Sequence, residues 1–340
     1  MIRVQPERFL RGVLPGLSWA DNCSRLPVAG CAKLTADTVR AARVPAGVHL
    51  AFTGPVSTVE LTVEVGERTT VPAPTVVPET FVVRVPGSLP QEVPLPPEGG
   101  RVPVRLPERD PHSAVRVYLP ETTEVRIVGL AGDRPLEDAP RGPRWIVYGD
   151  SITQGWSVTA PGLAWPSRVA DALGLDLVNL GFAGAARGEI LTADVVAASG
   201  AEAVALAWGT NAYSSLPTSV TQIAEAMRLY LTALRAGLPE VPVVVMSPIV
   251  RPDAEDVPNR FGASLADLRA ALEGAVGRFA VATGDDRVVL VPGLDLMPAE
   301  HLVDGIHPGD EGHRSLAEGV APHVAAGLGL QVGRVGVGTT

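Results

Sequence analysis

Aromatic side chains make up only 4% of this 340-residue chain, and a single lysine, Lys33, stands among its 28 basic residues. With Ala, Val, Gly, Pro and Arg all abundant, the lysine deficit reads as coding bias. Arginine in place of lysine at any one site therefore carries little weight. Positive charge is short overall, since 37 acidic residues leave a net charge of -9. That balance argues against a nucleic-acid binder, which needs a basic face to neutralise phosphates. It argues equally against a polybasic membrane-surface protein. No run of about 20 apolar residues is present, so no membrane-spanning helix is expected. The N-terminus lacks a basic stretch followed by an apolar one, and a cytoplasmic protein is expected. Two cysteines, Cys23 and Cys31, are too few for a disulfide framework or a four-cysteine zinc site, and are expected as reduced thiols.

What the chain does hold is enough apolar material for a full core: 46% hydrophobic against 19% charged residues. Its length suits two domains at roughly 100–200 residues each. Proline (32) and glycine (36) are both plentiful, and the prolines are unevenly placed. Between about 45 and 130 the sequence reads as short strands rich in Val and Thr, at 49–52, 56–65, 80–85, 101–106, 115–119 and 124–128. Leu61-Thr-Val-Glu-Val alternates as a half-buried strand does. Proline and glycine clusters separate these runs and mark turns and protected edges, because proline cannot donate to a sheet ladder. A β-sandwich or jelly roll is expected over 1–138.

From Arg144 the period changes. Apolar runs at 145–148, 175–180, 203–208, 241–247 and 287–291 alternate with helical segments at about 162–173, 189–198, 217–236, 262–283 and 310–327. In the third helix Ile223, Met227, Tyr230, Leu231 and Leu234 recur at three- and four-residue spacing. Strands alternating with helices imply an α/β domain, with a parallel sheet covered on both faces, over 144–330. The boundary lies near 133–143, and 331–340 is left as a tail.

Ligands of open α/β sheets bind at the carboxyl ends of the strands. Three segments place polar or glycine residues there: Gly149-Asp-Ser-Ile-Thr-Gln-Gly, Asn179-Leu-Gly-Phe-Ala-Gly and Gly209-Thr-Asn. A fourth, Asp304-Gly-Ile-His-Pro, precedes the last helix. A serine hydroxyl is a poor nucleophile until a base takes its proton. His307 is the candidate base for Ser151, and Asp304, three residues earlier, is spaced to hold the imidazole Nδ1.

These four blocks together resemble the SGNH (GDSL-type) hydrolases. The resemblance covers most of 145–328 and implies a three-layer, flavodoxin-like fold. It implies Ser151 as nucleophile, His307 as general base and acid, and Asp304 as orienting carboxylate. It also implies an oxyanion hole from the backbone N–H of Ser151, the backbone N–H of Gly184 and the side-chain amide of Asn211. Gly181 is the rival to Gly184 within its block. Asp150 is expected to support the first turn. The family's third block usually reads Gly-x-Asn-Asp, and here Ala212 replaces the aspartate, which changes how that loop is anchored. In the first half, Ser18–Ala20 followed by Ser24-Arg-Leu-Pro is similar to the opening of β-sandwich domains that precede some SGNH hydrolases. The same order occurs in carbohydrate esterase family 2.

Bland readings stand beside these. Ser151 also suits a helix N-cap, and Asp304 a turn cap. His301 and His313 flank His307 at six-residue intervals, but helical metal pairs need three or four, so no metal and no cofactor is expected. Arg187 and Glu189 read equally as substrate contacts or as a salt-bridged loop. Tyr213 is the better candidate for lining the pocket. Trp156 and Trp165 lie near block ends, and Trp208 reads as core. The leading reading is a serine esterase acting on a short, acetyl-type ester of a carbohydrate or other small hydroxylated molecule. An acyltransferase with the same triad, or a non-catalytic carbohydrate-binding protein, are the alternatives.

Overall fold

The computed structural model describes residues 1–14, 25–26, 31–69 and 79–331. Cys23, residues 18–20 and 24 of the opening motif, the prolines of 72–78 and the tail beyond 331 lie outside the described residues.

The described residues of the first half form ten strands: β1 (Ile2–Val4), β2 (Leu10–Arg11), β3 (His49–Thr53), β4 (Thr58–Arg68), β5 (Thr80–Arg84), β6 (Gln91–Pro94), β7 (Gly100–Arg105), β8 (Val115–Tyr118), β9 (Thr123–Gly132) and β10 (Glu137–Asp138). They build two antiparallel sheets, ordered β1-β9-β4-β7 and β10-β3-β8-β5-β6, with β2 added to β3. Val59, Leu61, Val63, Val102, Val104, Phe81, Val83, Val115 and Val117 alternate inward and fill the space between the sheets. Pro94 and Pro103 sit in β6 and β7, both edge strands, where a missing N–H breaks no ladder. Among the described residues, a 3-10 turn at Pro6–Phe9 and an α-helix, α1 (Ala36–Arg43), interrupt the all-β pattern.

The second half is a separate α/β layer structure. Strands β11 (Arg144–Gly149), β12 (Asp176–Gly181), β13 (Ala203–Ala207), β14 (Val243–Met246) and β15 (Val288–Val291) are all parallel, in the order β12-β11-β13-β14-β15. The helices are α2 (Ser151–Gln154), α3 (Trp165–Leu173), α4 (Ile190–Ala197), α5 (Val220–Gly237), α6 (Leu265–Thr283) and α7 (Asp310–Leu328). One apolar cluster joins α4, α5 and α6 to the sheet, and another joins α3 and α7 to its opposite face. Helix α5 begins at Val220 because Ser219 and Gln222 form a capping box. Strand order reverses on either side of β11, which places the crevice at the carboxyl ends of β11 and β13. Among the described residues, no helix is long and apolar enough to cross a membrane.

The two halves meet through charge as well as apolar packing. Asp171 on α3 accepts from Arg84 (3.0 Å), Arg116 (2.8 Å) and the Tyr118 hydroxyl (3.3 Å), all on the sheet that carries β5 and β8. That sheet is therefore covered on both sides, which is why β3 is buried at every position. Leu14, Leu26 and Ala42, although early in the chain, pack into the α/β core with Ile146 and Tyr148.

Candidate active site

Strand β11 ends in Gly149, and a side chain there would lie 2.1 Å from Thr153 Oγ1 and 2.3 Å from the Ala207 carbonyl. The chain can turn so tightly only without a Cβ. Asp150 then caps α2, its Oδ1 accepting from the Ile152 N–H at 3.1 Å. Burial pushes the Asp150 carboxyl up to about 6. Ser151 is the first residue of this one-turn helix and is buried.

The last block folds back onto it. The loop before α7 closes through Val303 N–H to His307 O (2.8 Å) and Gly309 N–H to His301 O (2.9 Å). His307 Nε2 lies 2.8 Å from Ser151 Oγ, and its Nδ1 lies 2.7 Å from Asp304 Oδ2. The second carboxylate oxygen, Oδ1, accepts from the backbone N–H of Ile306 (3.0 Å) and His307 (2.8 Å). Burial opposes the charge on Asp304, but the hydrogen bonds from the His307 ring and backbone outweigh it and hold the carboxyl below its ordinary value. The Trp156 ring lies 5.3 Å from the imidazole, tilted by 37°.

The three oxyanion donors expected from the sequence differ in their hydrogen bonding. The backbone N–H groups of Ser151 and Gly184 make no hydrogen bond to another described residue. Gly184 is exposed, with a φ of +68° and open space where a Cβ would sit. The neighbouring N–H of Ala183 is held by Gln154 Oε1 at 2.8 Å, so the first block fixes the second. Gly181 does something else. Its N–H is taken by Asn179 Oδ1 (2.8 Å), and a Cβ there would fall 2.2 Å from the Gln154 nitrogen. It permits close packing of β12 on α2. Asn211 is buried, with its amide donating to Ala186 O at 3.3 Å.

Other residues named from the sequence are distributed less centrally. Arg187 pairs with Asp37 and with Glu189 (3.4 Å) and donates to Ala185 O (2.9 Å). Glu189 accepts from the buried Tyr148 hydroxyl at 2.5 Å and from Thr38 Oγ1 at 3.0 Å. Both belong to a salt-bridged loop. Tyr213 is half-buried under the Arg251 guanidinium, 5.1 Å from the ring centroid. Trp208 is core, packed on Gly188. His313 is fully buried between the Trp165 N–H (3.2 Å) and the Trp156 carbonyl (3.3 Å), and burial pushes it down to about 4. Where the usual aspartate of the third block is replaced by Ala212, a distant residue anchors the loop. Asn259 donates its amide to the carbonyls of Ala212 (3.3 Å) and Thr218 (3.0 Å). Nothing local in the sequence marks Asn259 for that task, whereas Gln154 lies inside the first block.

The sequence pattern of the GDSL-like Lipase/Acylhydrolase family matches residues 147–315. The α/β domain belongs to that family. Esterase or acyltransferase chemistry follows from that membership at its coarsest. The whole chain is similar in fold to a salicylyl-acyltransferase from a tetracycline biosynthetic pathway, with a TM-score of 0.81 at 23% identity over 93% of this chain and 94% of that one. It is also similar to a family two carbohydrate esterase from Clostridium thermocellum (TM-score 0.60, 17% identity, 83% and 92% covered). An acetyl xylan esterase from the rumen bacterium Butyrivibrio proteoclasticus gives a TM-score of 0.58 at 15% identity, with 83% and 89% covered. At these identities the likeness is one of fold. No curated protein matches the chain in sequence.

Proposed function

We propose that this protein is a serine esterase that removes a short, acetyl-type acyl group from a carbohydrate or other small hydroxylated molecule. Ser151 Oγ attacks the ester carbonyl while His307 Nε2 takes its proton. Asp304 holds the imidazole in the tautomer whose Nε2 accepts and stabilises the imidazolium that forms. The developing oxyanion is met by the N–H groups of Ser151 and Gly184 and by the Asn211 amide. Collapse expels the alcohol, protonated by His307, and leaves an acyl-enzyme that water then hydrolyses by the same steps. Tyr213 lines the pocket, and Arg187, engaged by Asp37, holds its loop.

The observation that carries this reading is the unbroken relay from Ser151 Oγ through His307 to Asp304, at 2.8 and 2.7 Å. A panel of p-nitrophenyl esters and acetylated sugars of graded acyl length, run on wild type and Ser151→Ala, tests it. Activity highest on acetyl and lost in the variant is expected. Preference for long chains overturns the substrate class. The full-length likeness in fold to an acyltransferase keeps transfer as a second reading. It predicts that an added alcohol or amine acceptor takes the acyl group at the expense of free acid.

A further inference from the structure

The loop that carries Gly184 is held from outside its own layer. Arg25, far back in the chain, is fully buried against the end of β12. Its Nη1 donates to the carbonyls of Asn179 and Gly181, both at 2.7 Å, and its Nη2 to the carbonyl of Ala41 on α1 at 2.5 Å. The guanidinium lies over the Phe182 ring, 5.2 Å from its centroid. Just past Gly184 the same early segment takes hold again. Asp37 pairs with Arg187, and Thr38 Oγ1, fully buried, donates to Glu189 Oε1 at 3.0 Å. The short stretch between these anchors contains Gly184 in its left-handed conformation.

We propose that Arg25 is a positioning residue for the oxyanion donor at Gly184, and that the segment carrying Arg25 and α1 completes the active site rather than merely shielding it. The physical reason lies in the two carbonyls. The end of a parallel strand leaves C=O groups that need donors when buried. The planar guanidinium serves three carbonyls at once, those of Asn179 and Gly181 through Nη1 and that of Ala41 through Nη2, and the fixed spacing of its two nitrogens ties β12 to α1, which the single nitrogen of an ammonium cannot do. An N–H that stabilises an oxyanion must be held within about 0.5 Å of its place. The inference rests on the esterase reading above.

The test uses the full chain with Arg25→Lys and Thr38→Val, and the exposed Lys33→Gln as control. Steady-state kinetics on p-nitrophenyl acetate, the inhibition constant of a boronic acid that forms a tetrahedral serine adduct, and thermal midpoints are measured together. A whole oxyanion donor is worth roughly 100- to 1000-fold. A donor that is present but loosened should lose about 10- to 100-fold in kcat for Arg25→Lys, and about 3- to 10-fold for Thr38→Val. KM should stay within about twofold, boronate binding should weaken by a similar factor to kcat, and the acid limb of the pH profile should stay in place. Boronate binding unchanged in both variants overturns the proposal, as does kcat unchanged in both. If Arg25→Lys does not fold, Thr38→Val decides alone by the same criteria. A wild type inert to both p-nitrophenyl acetate and a fluorophosphonate removes the esterase reading. A wild type that is active, with variants that match it, removes only this inference.

Discussion

Exchanging Asp304 for Asn replaces one oxygen by an NH₂ group at almost constant volume, so it isolates the tautomer of His307. Oδ1 of Asp304 is fixed by two donors, the N–H groups of Ile306 and His307 at 3.0 and 2.8 Å. In Asp304→Asn the amide oxygen must stay there. The NH₂ then occupies the place of Oδ2, 2.7 Å from Nδ1. Two donors cannot face each other, so the ring proton moves to Nε2, which is where Ser151 Oγ needs an acceptor at 2.8 Å. Flipping the amide offers no escape. It would set NH₂ against two backbone N–H groups and forfeit two hydrogen bonds, at about 1–3 kcal/mol each. The corresponding exchange in a serine-protease triad costs about 10⁴ in kcat, which is about 5.5 kcal/mol of barrier. Asp304 here is only half-buried, so a fall of roughly 10³–10⁴ in kcat on p-nitrophenyl acetate is expected, with KM within a few-fold and the thermal midpoint little changed. A variant within tenfold of wild type would refute the assignment of Asp304 as the orienting carboxylate.

Asn211→Ala should lower kcat/KM roughly 100- to 1000-fold while leaving the fold intact by circular dichroism; a loss under about threefold would mean that the amide does not meet the oxyanion. Glu121 gives a pH-dependent stability. It is buried where the halves meet, accepting from the N–H groups of Gly47 (2.8 Å) and Gly162 (3.3 Å), and burial pushes its carboxyl up from 4.5 to about 7. The neutral form is thus favoured on folding, a contribution present in full below about pH 4.5 and lost as pH rises through about 7. A shift of that size is worth about 3 kcal/mol. The unfolding free energy of Glu121→Gln relative to wild type should therefore rise by about 3 kcal/mol between pH 4.5 and 8 in urea titrations, and a pH-independent difference would discount the effect. His49 and His313, pushed down by burial to about 3 and 4, act in the opposite sense and cancel in that comparison.

The site was readable because each block is local. A strand that stops at Gly149, Gly181 or Ala207 puts the following residues at one sheet edge, which places three of the four blocks, and the fourth, 304–308, lies in the loop that leads into α7. The helices were readable for a similar reason. The apolar spacing around Tyr230 gives α5 to within three residues, and the Ser219 cap explains the difference. What escaped was long-range or weakly patterned. Helix α1 has Val39 as its only large apolar residue, the others being alanines, so no apolar stripe marks it before its packing beside β12 is seen. Strand β6 is an exposed edge of Gln, Glu and Pro with no alternation to betray it. Arg25, Asn259 and Glu121 each act on backbone groups remote in sequence, through contacts that no local spacing encodes.

The most direct test of the account is the intact mass of the full chain after incubation with a fluorophosphonate, followed by peptide mapping. The account predicts a single adduct on Ser151, slowed in His307→Ala and absent in Ser151→Ala. No adduct on the wild type, or one that persists in Ser151→Ala, would contradict it.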